Sequence, residues 1–438
     1  LQATFTEHRL EVVLEQNEAA LVLAVDTGVQ AVMGEIRFEQ DLVKPHVMEN
    51  LPRFRPGEPY NSWLMEKFRV DVWKTGYFSN IEVIENRKMQ ESPPRVDLEV
   101  RLKPRKKNTY QGTLGFGSDT GPRLLFSWNR HLISTNGDSF SLGTGYQQHN
   151  NEFFIRGNYR IPRNVRTRQF WIAEALVKNE TLDLRVTADD FDETQFSLGS
   201  STVNDYVLRM GRLRVRDRER GFRQLFETVY LQYLDENIKY RLNFANPEVL
   251  EELFRNENDP SVFRNSTKSL AVGIEYDMPL IRGEGFDTVG YHHRAWAFTS
   301  NEAWGSEEDY TQFYISSRWN FIVGDRWKFL LRGEAGYSRA AVSDLLVNVD
   351  GTDLRLSVTD LPNIYRFKAG GSTSVRGYSF ESLSNNGIGS NNILTASAEV
   401  EYPVLPKWSG ALFFDIGNAF NDWDEVKLKR GVGFGVRW

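Results

Sequence analysis

From about Asn108 onward, polar and apolar side chains alternate one for one, and helical periodicity of any length disappears. A period of two sends successive side chains to opposite faces of a sheet, so each such stretch has one greasy face and one wet face. Leu124, Phe126 and Trp128 alternate with Arg123, Ser127 and Asn129, while Leu270, Val272, Ile274 and Tyr276 alternate with Ser269, Gly273, Glu275 and Asp277. Trp327, Phe329, Leu331 and Tyr337 likewise alternate with Lys328, Arg332, Glu334 and Ser338. Fourteen strands of this kind can be counted up to Gly431–Trp438. Short turns such as Ser118-Asp-Thr-Gly121 alternate with longer connections, the longest running from about Ala341 to Asn391. The expectation is an all-β antiparallel barrel over residues 107–438, apolar outside and charged within.

Composition agrees with a membrane setting. No run of about 18 apolar residues is present, so no transmembrane helix is expected, and a negative mean hydropathy does not exclude a barrel whose strands expose only alternate residues to lipid. The chain carries 11 Trp, 17 Tyr and 29 Phe, enough for aromatic girdles at two membrane interfaces. It has no cysteine, which excludes disulfides, thiolate metal sites and cysteine nucleophiles. With a net charge of −6 and no basic run larger than Lys103-Pro-Arg-Lys-Lys107, a nucleic-acid partner has little support. No signal peptide opens the chain at Leu1, so a mature or trimmed form is expected.

The first hundred residues differ in character. Leu10–Leu14 and Ala20–Val25 read as a hairpin ended by the turn Asp26-Thr-Gly28. A second unit follows, with a strand at Met33–Phe38, a short helix at Val43–Asn50, the turn Pro56-Gly-Glu-Pro59, a helix over about Asn61–Thr75 closed by Gly76, and strands at Phe78–Ile84 and Val96–Leu102. The order is β-α-α-β-β.

One loop carries a distinctive constellation. Gly370-Gly-Ser-Thr-Ser-Val375-Arg376-Gly377-Tyr378 punctuates a single arginine with glycines, inside the longest connection. In the following strand, Leu394, Ala396, Ala398, Val400 and Tyr402 share the lipid face, which leaves Thr395, Ser397, Glu399 and Glu401 on the inner one. In Gly410–Gly417, Leu412, Phe414 and Ile416 face outward and Asp415 inward. Arg376 therefore has two candidate partners, Asp415 and Glu399, through paired charge-assisted hydrogen bonds in a partly desolvated lumen. The alternative is a solvated surface arginine in a hairpin loop.

These residues resemble a known family. The β-α-α-β-β unit with Pro56-Gly-Glu-Pro59 and Gly76-Tyr-Phe78 resembles a POTRA domain. The Gly-Gly-x-x-x-Val-Arg-Gly-Tyr loop followed by Phe413-Phe-Asp-Ile-Gly417 resembles the BamA/TamA and two-partner-secretion superfamily. Phe367–Gly371, Trp408–Ala411 and Gly431–Trp438 are most similar to the TamA branch, the translocation and assembly module. The resemblance implies an α+β POTRA domain at 29–106, the end of a preceding one at 1–28, and an outer-membrane barrel at 107–438 whose long loop, about 341–391, enters the lumen. It places Gly370, Gly371, Val375, Arg376, Gly377 and Tyr378 in the lumen motif, with Asp415 and Glu399 as acidic partners. Family barrels have sixteen strands, so about 20 to 30 further residues, at roughly ten per strand, are expected after Trp438.

The function implied is assembly of proteins into, or transport across, the outer membrane of a Gram-negative bacterium, with POTRA domains in the periplasm. The implied partners are TamB, anchored in the inner membrane, unfolded autotransporter-type substrates, and the lipid bilayer. A lateral seam is expected at the first strand, where Thr109, Tyr110, Gly112, Leu114, Gly115, Phe116 and Gly117 lie and where the glycines weaken strand order or simply permit close packing. A protein-conducting pore of the two-partner type and a general barrel insertase of the BamA type are the alternatives. An enzyme is not expected, nor is a cofactor. Asp26-Thr-Gly28 and Asp119-Thr-Gly121 mimic aspartic-protease motifs but fall where turns are needed. His292 and His293 are adjacent on a strand and point to opposite faces, so they cannot chelate one metal together.

Overall fold

The computed structural model describes residues 4–13, 18–26, 28–188, 195–218, 223–242, 266–324, 326–349, 352–424 and 426–438. Leu14 and Thr27 of the expected first hairpin and its turn lie outside these, as do residues 350 and 351 of the long connection. Contacts divide the chain into two units, one of residues 1–109, 130–139 and 161–166, the other of 110–129, 140–160 and 167–438.

The first unit opens with an antiparallel hairpin of β1 (Thr4–Val13) and β2 (Glu18–Asp26). Asp26 Oδ1 accepts the Gly28 N–H at 2.9 Å, so this aspartate folds its own turn. There follow β3 (Val32–Glu39), α1 (Pro45–Glu49), α2 (Ser62–Lys74), β4 (Phe78–Lys88) and β5 (Arg95–Pro104), in the β-α-α-β-β order read from the sequence. The sheet runs β3-β5-β4, with β3 parallel and β4 antiparallel to β5, and the connection that a parallel pair requires is made by α1, α2 and β4 together. Met65, Phe68 and Val72 form the buried stripe of α2 and join Met33, Met48, Leu51, Val96, Leu98 and Val100 in one core. Asn61 caps α2 by accepting the Trp63 N–H at 2.9 Å. Gly76, at φ +75°, ends it in a conformation other residues adopt at a cost.

One antiparallel sheet makes up the second unit, with a few end residues of its first four strands grouped with the other unit. Its strands are β6 (Asn108–Gly117), β7 (Gly121–Arg130), β8 (Ser139–Gln147), β9 (Glu152–Asn164), β10 (Gln169–Ala188), β11 (Gln195–Arg218), β12 (Arg223–Leu242), β13 (Ser266–Arg282), β14 (Val289–Ser300), β15 (Tyr310–Val323), β16 (Trp327–Arg339), β19 (Asn392–Leu405), β20 (Trp408–Phe420) and β21 (Lys429–Arg437), with β17 (Val342–Val349) and β18 (Thr352–Thr359) between β16 and β19. The hydrogen-bonded path has fourteen strands from β6 to β21, and its two ends are open. The strand count read from alternation therefore holds. The long connection is not loop throughout, since β17 and β18 form a hairpin within it and β18 also pairs with the end of β10. Strands β10, β11 and β12, at 20, 24 and 20 residues, are about twice the length that crosses a bilayer.

The register puts like with like on each face. Outward, Leu208 sits opposite Tyr233, Leu231 opposite Val272, and Ile315 opposite Ala335. Inward, Gln232, Glu236, Gln312, Ser338, Glu399 and Asp415 are all buried, although every one is polar. What buries them is the connection from β18 to β19. Asn363 donates its backbone N–H to Glu236 at 2.7 Å and its amide to Glu180 at 2.6 Å, and Gln312 donates to the Tyr365 carbonyl at 2.9 Å. The sheet curls around its own longest connection.

Candidate functional site

The connection folds back as an internal hairpin. Phe367 and Ser390 exchange backbone hydrogen bonds at 2.8 Å each, Ala369 and Leu383 do so at 2.9 and 2.8 Å, and Gly371 donates to the Tyr378 carbonyl at 3.0 Å. Gly370, Gly371 and Gly377 hold φ of +103°, +90° and +95°, the left-handed region that a tight tip demands. Val375 is fully buried with Phe367, Ala369, Leu383, Ile393 and Ala419. Phe367 lies over Gly336, where an added Cβ would come within 2.3 Å of the ring, and stacks on Tyr314, which stacks on Trp296. An apolar plug fixes the tip, and Arg376 projects from it.

Arg376 meets both expected acids. Its Nε and Nη2 donate to the two oxygens of Asp415 at 2.7 and 2.9 Å, and its backbone N–H donates to the same carboxylate at 2.9 Å. Nη1 donates to Glu399 at 2.5 Å, Nη2 also reaches Ser397 at 3.2 Å, and the guanidinium lies 3.5 Å from the centre of the Phe413 ring. Asp415 has no exposed surface, so its charge depends on these partners.

Two further arginines complete the site, and sequence reasoning did not single out either as a partner. Arg437 of β21 binds Glu399 and, at 2.8 Å, Glu401. Arg332 of β16 donates to the carbonyls of Ser372 at 3.3 Å and Ser374 at 3.2 Å and lies 3.9 Å from Asp415. Three guanidinium groups thus face three carboxylates, Glu399, Glu401 and Asp415. The last strand makes room for them. A Cβ added at Gly431 would lie 2.0 Å from the Arg376 carbonyl, and one at Gly433 would lie 2.5 Å from the Phe413 ring. Alternate glycines in Gly431-Val-Gly-Phe-Gly435 were the available signal, because a period of two puts all three on the inner face.

The predicted seam residues lie apart from this network, on the edge strand β6. Tyr110 stacks on Phe126 of β7, Leu114 and Phe116 are largely exposed on the outer face, and Thr109 Oγ1 lies 2.8 Å from His131 Nε2. A Cβ added at Gly112 or Gly115 would meet nothing closer than 3.8 Å, whereas one added at Gly117 would lie 2.5 Å from Thr120 Oγ1 and would have to displace that side chain. At the other edge, Val432 and Phe434 of β21 are equally exposed. His292 bonds Asp277 and His293 bonds Ser317, on separate faces of β14.

An antiparallel sheet wrapped around an inward-folded loop, whose arginine is held by carboxylates of the strands that follow, defines a class. Residues 288–438, which include the loop and its acidic partners, match the family model described as the Omp85 superfamily domain. The whole chain is similar in structure to BamA from Haemophilus ducreyi lacking POTRA domains 1–3, with TM-score 0.69 at 14% identity, covering 100% of this chain and 84% of that one. It is also similar to CdiB from Escherichia coli and from Acinetobacter baumannii, each with TM-score 0.53 at 13% identity, covering 99% of this chain and 73% and 71% of theirs. At such identities the likeness establishes a shared fold.

Proposed function

We propose that this protein is an outer-membrane assembly and translocation factor that receives unfolded β-barrel proteins, autotransporters among them, at an opening beside its first strand. The observation that carries this reading is the character of strand β6, the first of the sheet. Its outer face is apolar, and a Cβ added at Gly112 or Gly115 would meet nothing closer than 3.8 Å, so it packs loosely. An unpaired edge offers N–H and C=O groups to an incoming strand, which pairs there by β-augmentation instead of exposing bare amides to lipid. Arg376 does no chemistry. It holds the loop, and through the loop the curvature of the sheet.

In this reading residues 29–106 are a periplasmic POTRA domain, the hairpin in 1–28 is the end of another, and TamB is the periplasmic partner of a TamA-type module. The β-α-α-β-β order and the parallel β3–β5 pair support the POTRA assignment. The test is reconstitution of the full-length protein in liposomes with a denatured autotransporter barrel, comparing the free protein with one carrying a disulfide between β6 and the last strand of the barrel. Accelerated substrate folding that is lost on locking and regained on reduction is the expected result. Full activity in the locked form refutes the seam mechanism, and strong ion conductance without acceleration favours a secretion pore.

A further inference from the structure

We infer that Asp119, in the turn between β6 and β7, is a positioning residue that latches the first hairpin to the tip of the inner loop, so that one short peptide ties the two ends of the sheet together. The inference rests on the proposed function only in what the latch is for. Asp119 Oδ2 accepts the Ser372 N–H at 3.0 Å. The carboxylate is wedged between two glycines, lying 3.0 Å from a Cβ added at Gly117 and 3.1 Å from one added at Gly371. The next turn makes a second tie. Asn150 donates to Glu381 at 3.3 Å, and the His149 ring meets the Phe380 ring edge-on at 5.2 Å.

The same peptide is held from the other side. The Ser372 carbonyl accepts from Arg332 of β16, and four residues further on Arg376 is bound to Glu399 of β19 and Asp415 of β20. Four residues of extended chain span at most about 14 Å. The turn after β6 therefore stays within a short leash of β20, although eleven strands of the path lie between β6 and β20. The Asp119 carboxyl is held below the usual carboxylate range, chiefly by the Ser372 N–H, so the latch is anionic at neutral pH. Releasing it removes the first hairpin's direct bond to the loop and leaves in place the Arg376 network and the indirect tie through the turn at His149 and Asn150.

The experiment measures the distance between spin labels at Leu114→Cys on β6 and Leu412→Cys on β20, both on the exposed outer face, in the full protein in liposomes. Asp119→Ala and Gly371→Ala should each broaden the distribution about twofold, as expected when a chain-length constraint is lifted. Asp119→Asn, which keeps an oxygen for the Ser372 N–H, should stay near the wild-type width. Unchanged distributions in both Asp119→Ala and Gly371→Ala overturn the latch. Circular dichroism and a heat-shift gel on each variant separate release from misfolding, and a broadened distribution in a folded protein counts for the latch. If the distribution broadens while substrate folding is unaffected, the latch stands and the seam mechanism is what fails.

Discussion

Replacing Arg376 by alanine removes the guanidinium that binds, through two hydrogen bonds, a carboxylate with no exposed surface. Asp415 loses the two hydrogen bonds from the guanidinium and is left with the backbone N–H of residue 376 and with Arg332 at 3.9 Å. Glu399 is less affected, since Arg437 still binds it. Breaking a buried pair by removing one partner costs about 3–5 kcal/mol. The residual Arg332 and the partial exposure of Arg376 itself, 21% of its side chain, place this case near the lower end, about 3 kcal/mol. Asp415→Ala alone leaves Arg376 with Glu399 and should cost less, about 2 kcal/mol. The double variant should cost less than the sum of the two, with a coupling of about 2 kcal/mol, because removing both partners leaves no orphaned charge. Equilibrium urea unfolding in lipid vesicles, followed by tryptophan fluorescence, measures all four corners of the cycle. An Arg376→Ala variant within about 0.5 kcal/mol of wild type, or additivity to that precision, refutes the claim that this pair anchors the loop.

Gly431→Ala should loosen the loop more than Gly433→Ala, because the first clashes with the Arg376 backbone and the second with a movable ring edge. Overpacking of this kind costs about 1–3 kcal/mol, and limited proteolysis between Gly370 and Asn391 reads the release. Asn61→Ala removes the N-cap of α2 and should destabilise the first unit by about 1 kcal/mol, measured as faster amide exchange in α2. Asp97 is held below the usual carboxylate range, chiefly by its hydrogen bond from Lys88, with the Glu35 N–H adding to it. A depressed folded value means that its stabilisation is present above the ordinary aspartate range and is lost as pH falls through the lower folded value. Acid should therefore loosen the β3–β5 sheet in that window, and Asp97→Asn should flatten the dependence, seen in exchange rates corrected for intrinsic chemistry.

Alternation made the second unit legible because each strand pays its desolvation on one face only. Alternate residues from Leu394 to Tyr402 and from Leu412 to Ile416 lie outward, and Glu399 and Asp415 between them lie inward, as a period of two requires. The partners of Arg376 could be narrowed to two for the same reason. Arg437 was not singled out because a charged residue near the end of a strand reads equally well as a solvated cap, and only the third dimension brings it against Glu399 and Glu401. The Asp119 contact was hidden more deeply. Asp-Thr-Gly is a sufficient turn signal by itself, and its second role joins residues 253 positions apart, a pairing that no local pattern encodes. The β17–β18 hairpin was missed because its strands lie within a connection otherwise rich in Gly, Ser and Asn.

The same topology explains why the centre of the sheet is ionic. An apolar lumen would hold a loop by area alone, and area is indifferent to register. A bidentate guanidinium is not, because shifting the tip by one residue replaces Arg376 with Val375 or Gly377 and leaves Asp415 unpaired in a buried site. The penalty for that error is larger than the net stabilisation of the correct pair, so the network's main effect is to exclude wrong loop positions. The glycines at 431 and 433 extend the logic to the edge, since they admit the tip only where β21 is paired with β20 in the observed register, Asp415 opposite Gly431 and Phe413 opposite Gly433. A loop whose position is fixed this sharply can transmit the state of one end of the sheet to the other, and Ser372 is where the first hairpin meets it.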